Sequence, residues 1–131
     1  MTDSTGSDFT AIEALAQTYF DALYEGDVDK FAGIFHPQAR LFSVGGGETV
    51  ILDVPTYLSI VGGRESPAQR GDHREDILLS IDRPTPSTGH IRVCELFLPK
   101  RFTDELTLMK CDGKWSIVSK VWDFEILDEK A

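Results

Sequence analysis

The sequence predicts an α+β domain in which helices near the start cover one face of a bent antiparallel sheet built from the rest. Two observations carry this. Over the first third, apolar residues recur at helical spacing: Phe9, Ile12, Leu15, Ala16, Tyr19, Phe20 and Leu23 share one face. From His73 onward the alternation has period two, broken by turn residues at Pro84 to Gly89, Pro99-Lys100 and Asp112-Gly113.

Residues 1–8 are rich in Ser, Thr, Gly and Asp, which predicts a frayed tail. The first helix then starts near Phe9. Thr10 and Glu13 have the spacing of a capping box, and Gly26 is placed to end the helix in a left-handed conformation. Asp27 caps a second, shorter helix carrying Val28, Phe31, Ile34 and Phe35, which His36-Pro37 closes. Residues 39–44 and 49–52 form a hairpin over Gly45, Gly46 and Gly47. A phosphate-binding loop would need a following helix with a lysine, so the three glycines read as a permissive turn. Asp53 caps a third helix with Pro55 in its first turn and Tyr57, Leu58 and Val61 on one face; Gly62-Gly63 ends it. Residues 64–72 are a polar loop in which the Arg70-Gly71-Asp72 triplet is incidental. Strands are expected over residues 73–83, 90–98, 101–111 and 114–127, with Ile77, Leu79 and Ile81 alternating in the first of them. Residues 128–131 read as a loose tail, leaving a single domain over 9–127.

A chain of 131 residues fits one domain. Its formal net charge of -9 argues against nucleic acid and anionic membrane as partners, because both need a cationic face. No apolar run approaches the roughly 20 residues of a membrane helix. The first eight residues lack the apolar centre of a signal peptide, and a cytoplasmic location is expected. Cys94 and Cys111 fall on predicted neighbouring strands. A disulfide between them is open, but buried free thiols are the expectation. Their spacing is not that of a zinc site, and no two of His36, His73 and His90 gather carboxylates, so neither metal nor cofactor is expected.

Residues 19–31, YFDALYEGDVDKF, and 34–41, IFHPQARL, resemble the opening of the nuclear transport factor two-like, or SnoaL-like, superfamily. Residues 112–121, DGKWSIVSKV, resemble its last hairpin. The segments LFSVGGGE at 41–48 and RFTD at 101–104 are similar to the family described as putative lumazine-binding. The resemblance implies a cystatin-like roll: a cone-shaped antiparallel sheet packed on three N-terminal helices, with a pocket at the open end between sheet and helices. It says less about activity, because the superfamily holds isomerases, dehydratases, cyclases, transport adaptors and binding domains.

Several side chains are candidates for chemistry. Gln17-Thr18-Tyr19 stands in the register of the motif by which ketosteroid isomerases of this superfamily place an oxyanion-binding tyrosine; a core tyrosine is the alternative. The rest of that isomerase site is missing. Ser43 occupies the position of the general base, and a hydroxyl is too weak a base for a carbon acid. The second oxyanion acid falls near Leu106, which cannot donate. His73 opens the strand where dehydratases of the superfamily keep a catalytic histidine, with Asp27 or Asp29 near the matching partner region. A side chain that titrates at about 6.5 suits that role, although a solvated strand-end histidine fits the residues equally. His36 reads as structural and His90 as an exposed turn residue. Glu95, Asp104 and Asp123 lie inside predicted strands, on either a wet face or a buried one with a raised pKa. Asp123, beside Trp122, is the catalytic candidate among them. Phe42, Tyr57 and Trp122 are candidates to line the pocket, and Arg101 to meet an anion or pair with Asp104.

Three functions remain open. The first is a domain that binds a small apolar or aromatic molecule. The second is a cofactor-free lyase, dehydratase or isomerase with His73 as base and Tyr19 as hydrogen-bond donor. The third is a protein–protein adaptor. In each case a homodimer through the outer face of the sheet is expected.

Overall fold

The computed structural model describes residues 5–127. The helices are α1 (Thr5–Glu25), α2 (Val28–Ile34), α3 (Val54–Gly63) and the single turn α4 (Pro67–Arg70). The strands are β1 (Phe35–Ser43), β2 (Val50–Asp53), β3 (Asp76–Thr85), β4 (Thr88–Phe97), β5 (Lys100–Cys111) and β6 (Lys114–Ile126). They form one six-stranded sheet in the order β2-β1-β6-β5-β4-β3. All neighbours are antiparallel except β1 and β6, which run parallel. The fold is therefore the α+β roll that the helix–strand order and the resemblance imply.

Local chemistry accounts for most of the boundaries. Gly26 takes φ 67° and stops α1, and the Asp27 side chain accepts from the Lys30 backbone N–H to start α2. Asp53 caps α3 through the Thr56 N–H. Asp112 and Gly113, at φ 52° and 76°, turn β5 into β6. The inner face of the sheet and the apolar faces of the helices meet in one core that includes Ile12, Tyr19, Phe31, Leu41, Ile91, Leu106 and Ile117. Burying each such side chain is worth about 1.5–3 kcal/mol.

Five local expectations need correction. Helix α1 begins at Thr5, not Phe9, because Asp8 is anchored. Its carboxylate accepts from Arg83 (2.7 and 3.0 Å), Lys110 (2.8 Å) and the Trp115 indole (3.1 Å). Thr10 therefore lies inside the helix and donates to the Gly6 carbonyl instead of capping. Residues 1–4 and 128–131, expected as tails, lie outside the described residues. The expected loop at 64–72 contains α4, closed by a Ser66–Gln69 capping box and left-handed Gly71. A register shift between Leu78 and Ser80 breaks the alternation expected in β3, so Ile77 and Leu79 are exposed while Leu78 and Ile81 pack inward. The cysteines are both free: Cys94 is half-buried beside Thr103, and Cys111 is exposed rather than buried.

Candidate functional site

Between α3 and the open end of the sheet lies a cavity of about 220 Å³. Val50 and Leu52 of β2, Tyr57 and Ile60 of α3, Arg64 just beyond α3, Phe102 of β5, and Lys120 and Trp122 of β6 line it. Its size suits a ligand smaller than the drug-sized molecules that fill sites of roughly 300–1,000 Å³. Most of the wall is aromatic or aliphatic, and the polar groups are few.

Lys120 is the central one. It is 5% exposed, and its ammonium lies within cation–π distance of Tyr57, Tyr19 and Trp122, at 4.9, 5.2 and 5.4 Å from the ring centres. It donates to the Tyr57 hydroxyl at 3.4 Å and pairs with Asp104 Oδ2 at 3.8 Å. Burial opposes its charge, but Asp104, Tyr57 and Glu95 outweigh burial and hold it above the usual lysine range.

Behind Lys120 the sheet buries two acids. Asp104 and Glu95 face inward from β5 and β4, and Asp104 is fully buried. Tyr19 donates to Asp104 Oδ2 at 2.5 Å. Burial, reinforced by the adjacent Asp104, pushes the Glu95 carboxyl well above its usual range, so Glu95 keeps its proton. Asp104 Oδ1 and Glu95 Oε2 are buried without another side-chain or backbone partner. The hydrogen bond with Asp104 that helps to raise Glu95 makes the Glu95 proton the donor available between the two acids. The cluster thus combines one ammonium, one carboxylate, one carboxylic acid and two phenols. Burial, then the charge of Asp104, lifts Tyr19 well above the usual phenol range, so it remains a donor.

The structure brings Tyr57 and Trp122 into the wall of this cavity. The other candidates lie elsewhere. Tyr19 is fully buried and its hydroxyl is committed to Asp104, so it does not line the cavity. The His73 side chain is 66% exposed, precedes β3 and pairs with Glu75, which removes it from any site in the cone. Phe42 points to the outer face, 37% exposed, because Leu41 and Ser43 take the inward positions on β1. Ser43 is a structural tie, donating to the Trp122 carbonyl at 2.7 Å and accepting from the Gly45 N–H. Asp123 is exposed, and its carboxylate accepts from the Phe124 N–H. Arg101 meets Glu75 and Glu125, not Asp104, beside a shallow cleft that it shares with Asp123.

Sequence reasoning missed Lys120 and Arg64. The β5–β6 register shifts between Thr107 and Leu108, where Leu108 pairs with Ile117 and Thr107 with Ser119. That shift flips the phase of β6. Trp115 and Ile117 face inward before it, and Lys120 and Trp122 face inward after it. Strict alternation from Trp115 would have sent Lys120 to solvent. The available signal was the spacing of Lys120 and Trp122, which must share a face that excludes Asp123. Among the described residues no cluster of three or more His, Cys, Asp or Glu forms a metal site, and no helix is long and apolar enough to cross a membrane.

Comparison with known proteins fits this geometry. Residues 7–123 match the family described as putative lumazine-binding. The chain is 28% identical over 120 residues to the aldolase FrzH of a Cladobotryum species, covering 90% of this chain and 92% of that one. An NTF2-like protein of unknown function from Silicibacter pomeroyi superposes with a TM-score of 0.83 at 25% identity, over 95% of this chain and 100% of the other. A ketosteroid isomerase-like protein from Erwinia carotovora atroseptica shares the fold, with a TM-score of 0.67 at 12% identity over 88% and 94% of the two chains. With the helices, the curved sheet and the cavity in place, the chain belongs to the putative lumazine-binding family of the nuclear transport factor two-like superfamily.

Proposed function

We propose that the protein binds a small, flat carbonyl compound in the Tyr57–Lys120–Trp122 cavity and promotes aldol-type chemistry on it without a cofactor. The observation that carries this reading is a buried ammonium, Lys120, hydrogen-bonded to a phenol, Tyr57, in the wall of an otherwise apolar cavity. A carbonyl oxygen placed there meets the Tyr57 hydroxyl as donor and the Lys120 charge behind it. Both interactions strengthen as negative charge develops on that oxygen: when a base from solvent takes the α-proton to leave the enolate, and when an enol adds to the carbonyl carbon and its hydroxyl proton passes to solvent. The position of Lys120 beside Asp104 keeps it protonated. It therefore serves as a fixed positive charge and does not form an imine, which needs the free amine. The likeness to an aldolase supports the reaction class.

Solvent-deuterium incorporation into acetophenone, followed by proton NMR, tests the reading. The protein should accelerate exchange at the methyl carbon over buffer. Tyr57→Phe, which keeps every charge, should slow that exchange by about 100-fold or more. Exchange no faster than in buffer, or unchanged in Tyr57→Phe, would sink the proposal.

The expected homodimer belongs to the same reading. Phe42 lies between Ile51 and Val121 on the outer face, and all three are exposed, which makes an apolar strip for a second copy to cover.

A further inference from the structure

The cavity has a second cation. Arg64 lies at the end of α3 and lines the cavity together with Lys120. Its guanidinium stacks over Phe97, 4.6 Å from the ring centre, and among the described residues no carboxylate is paired with it. The other arginines nearby differ. Arg70 holds Asp72, Arg74 holds Asp21 and Asp76, and Arg101 holds Glu75 and Glu125. The lining contains no acid, although the chain carries 22 acidic against 13 basic residues. Asp104 balances the charge of Lys120 from behind the wall, so the charge of Arg64 is the one left for a ligand.

We propose that the ligand is a flat carbonyl compound that also carries a carboxylate, with Lys120 and Tyr57 on the carbonyl oxygen and Arg64 on the carboxylate. This rests on the function proposed above and deepens it. A guanidinium held against an aromatic ring keeps its N–H edge in place, and that edge matches the two oxygens of a carboxylate. Phe102 and Trp122 supply aromatic surface for the flat body of the molecule. A neutral ketone uses only the Lys120–Tyr57 part of the site.

The test compares benzoylformate with acetophenone, by ligand-observed NMR titration of the purified protein. Benzoylformate has no hydrogen on the carbon beside its ketone, so its binding is read without enolisation. Benzoylformate should bind about tenfold to a hundredfold more tightly than acetophenone, the range of one charged hydrogen-bonded contact. Arg64→Gln should remove that preference by bringing benzoylformate down to the affinity of acetophenone, while Tyr57→Phe should weaken both. Equal binding of the two compounds, or a preference that survives Arg64→Gln, overturns the carboxylate assignment and leaves the carbonyl site standing. No binding of either compound at millimolar concentration overturns both.

Discussion

Lys120 keeps its charge in a place with almost no solvent because Asp104 and Tyr57 stand within reach of it. Such a pair resists the loss of one member. Lys120→Met strands the Asp104 carboxylate, and unfolding in urea should show a loss of about 3–5 kcal/mol. Adding Asp104→Asn removes the stranded charge while leaving an acceptor for Tyr19, and should restore most of that stability. A single Lys120→Met that costs less than about 1 kcal/mol would show that the two groups do not depend on each other. Legibility at this scale followed side-chain direction. Glu95 and Asp104 could be flagged as strand acids that are either wet or buried, and the structure buries both. The sequence cannot tell His73 in solvent from His73 in a cleft, because that depends on where β3 begins. The structure starts β3 at Asp76, three residues too late to carry the histidine into the cone.

At the level of elements, the anchor at the start of α1 has a measurable pH signature. Lys110 first, then Trp115 and Arg83, stabilise the ionised Asp8 against burial and lower its pKa from 3.8 to about 2. A lowered carboxylate pKa means that the unfolded chain binds the proton more readily. The contribution of Asp8 is therefore complete above pH 3.8 and is lost as pH falls through about 2. In thermal melts Asp8→Asn should lower the melting temperature at neutral pH, and the gap to the parent protein should close as pH falls through about 2. A gap that stays constant across that window would refute the assignment. The helices and hairpins were legible because their ends are written in local chemistry: Gly26-Asp27, Asp53, and Asp112-Gly113. The anchor was not, since its partners on β3, β5 and β6 are up to 107 residues away. The bulges in β3 and β6 were hidden for the same reason, since a register shift is set by pairing between strands.

For the whole molecule, the outer face of the sheet is uneven. An apolar strip runs over β2, β1 and β6 at Ile51, Phe42 and Val121, while Arg92 and Glu105 pair across β4 and β5 on the same side. Two copies meeting at the strip would bury it and leave the ion pairs in water. Size-exclusion chromatography with light scattering should give twice the mass of the chain, and Phe42→Lys should return the single mass. A parent protein that is monomeric at micromolar concentration would end the dimer proposal.

The parallel pairing of β1 with β6 sets the order of events during synthesis. β1 sits inside the sheet, flanked by β2 and β6, and its pairing with β6 joins Arg40 to Ser119 and Ser43 to Trp122. Until residues 114–126 have left the ribosome, β1 and β2 are a two-stranded ribbon, which is marginal in water, and α1, α2 and α3 have only part of a surface to cover. The core therefore cannot close before β6 has emerged, and until then the apolar helix faces have only part of the sheet to pack against.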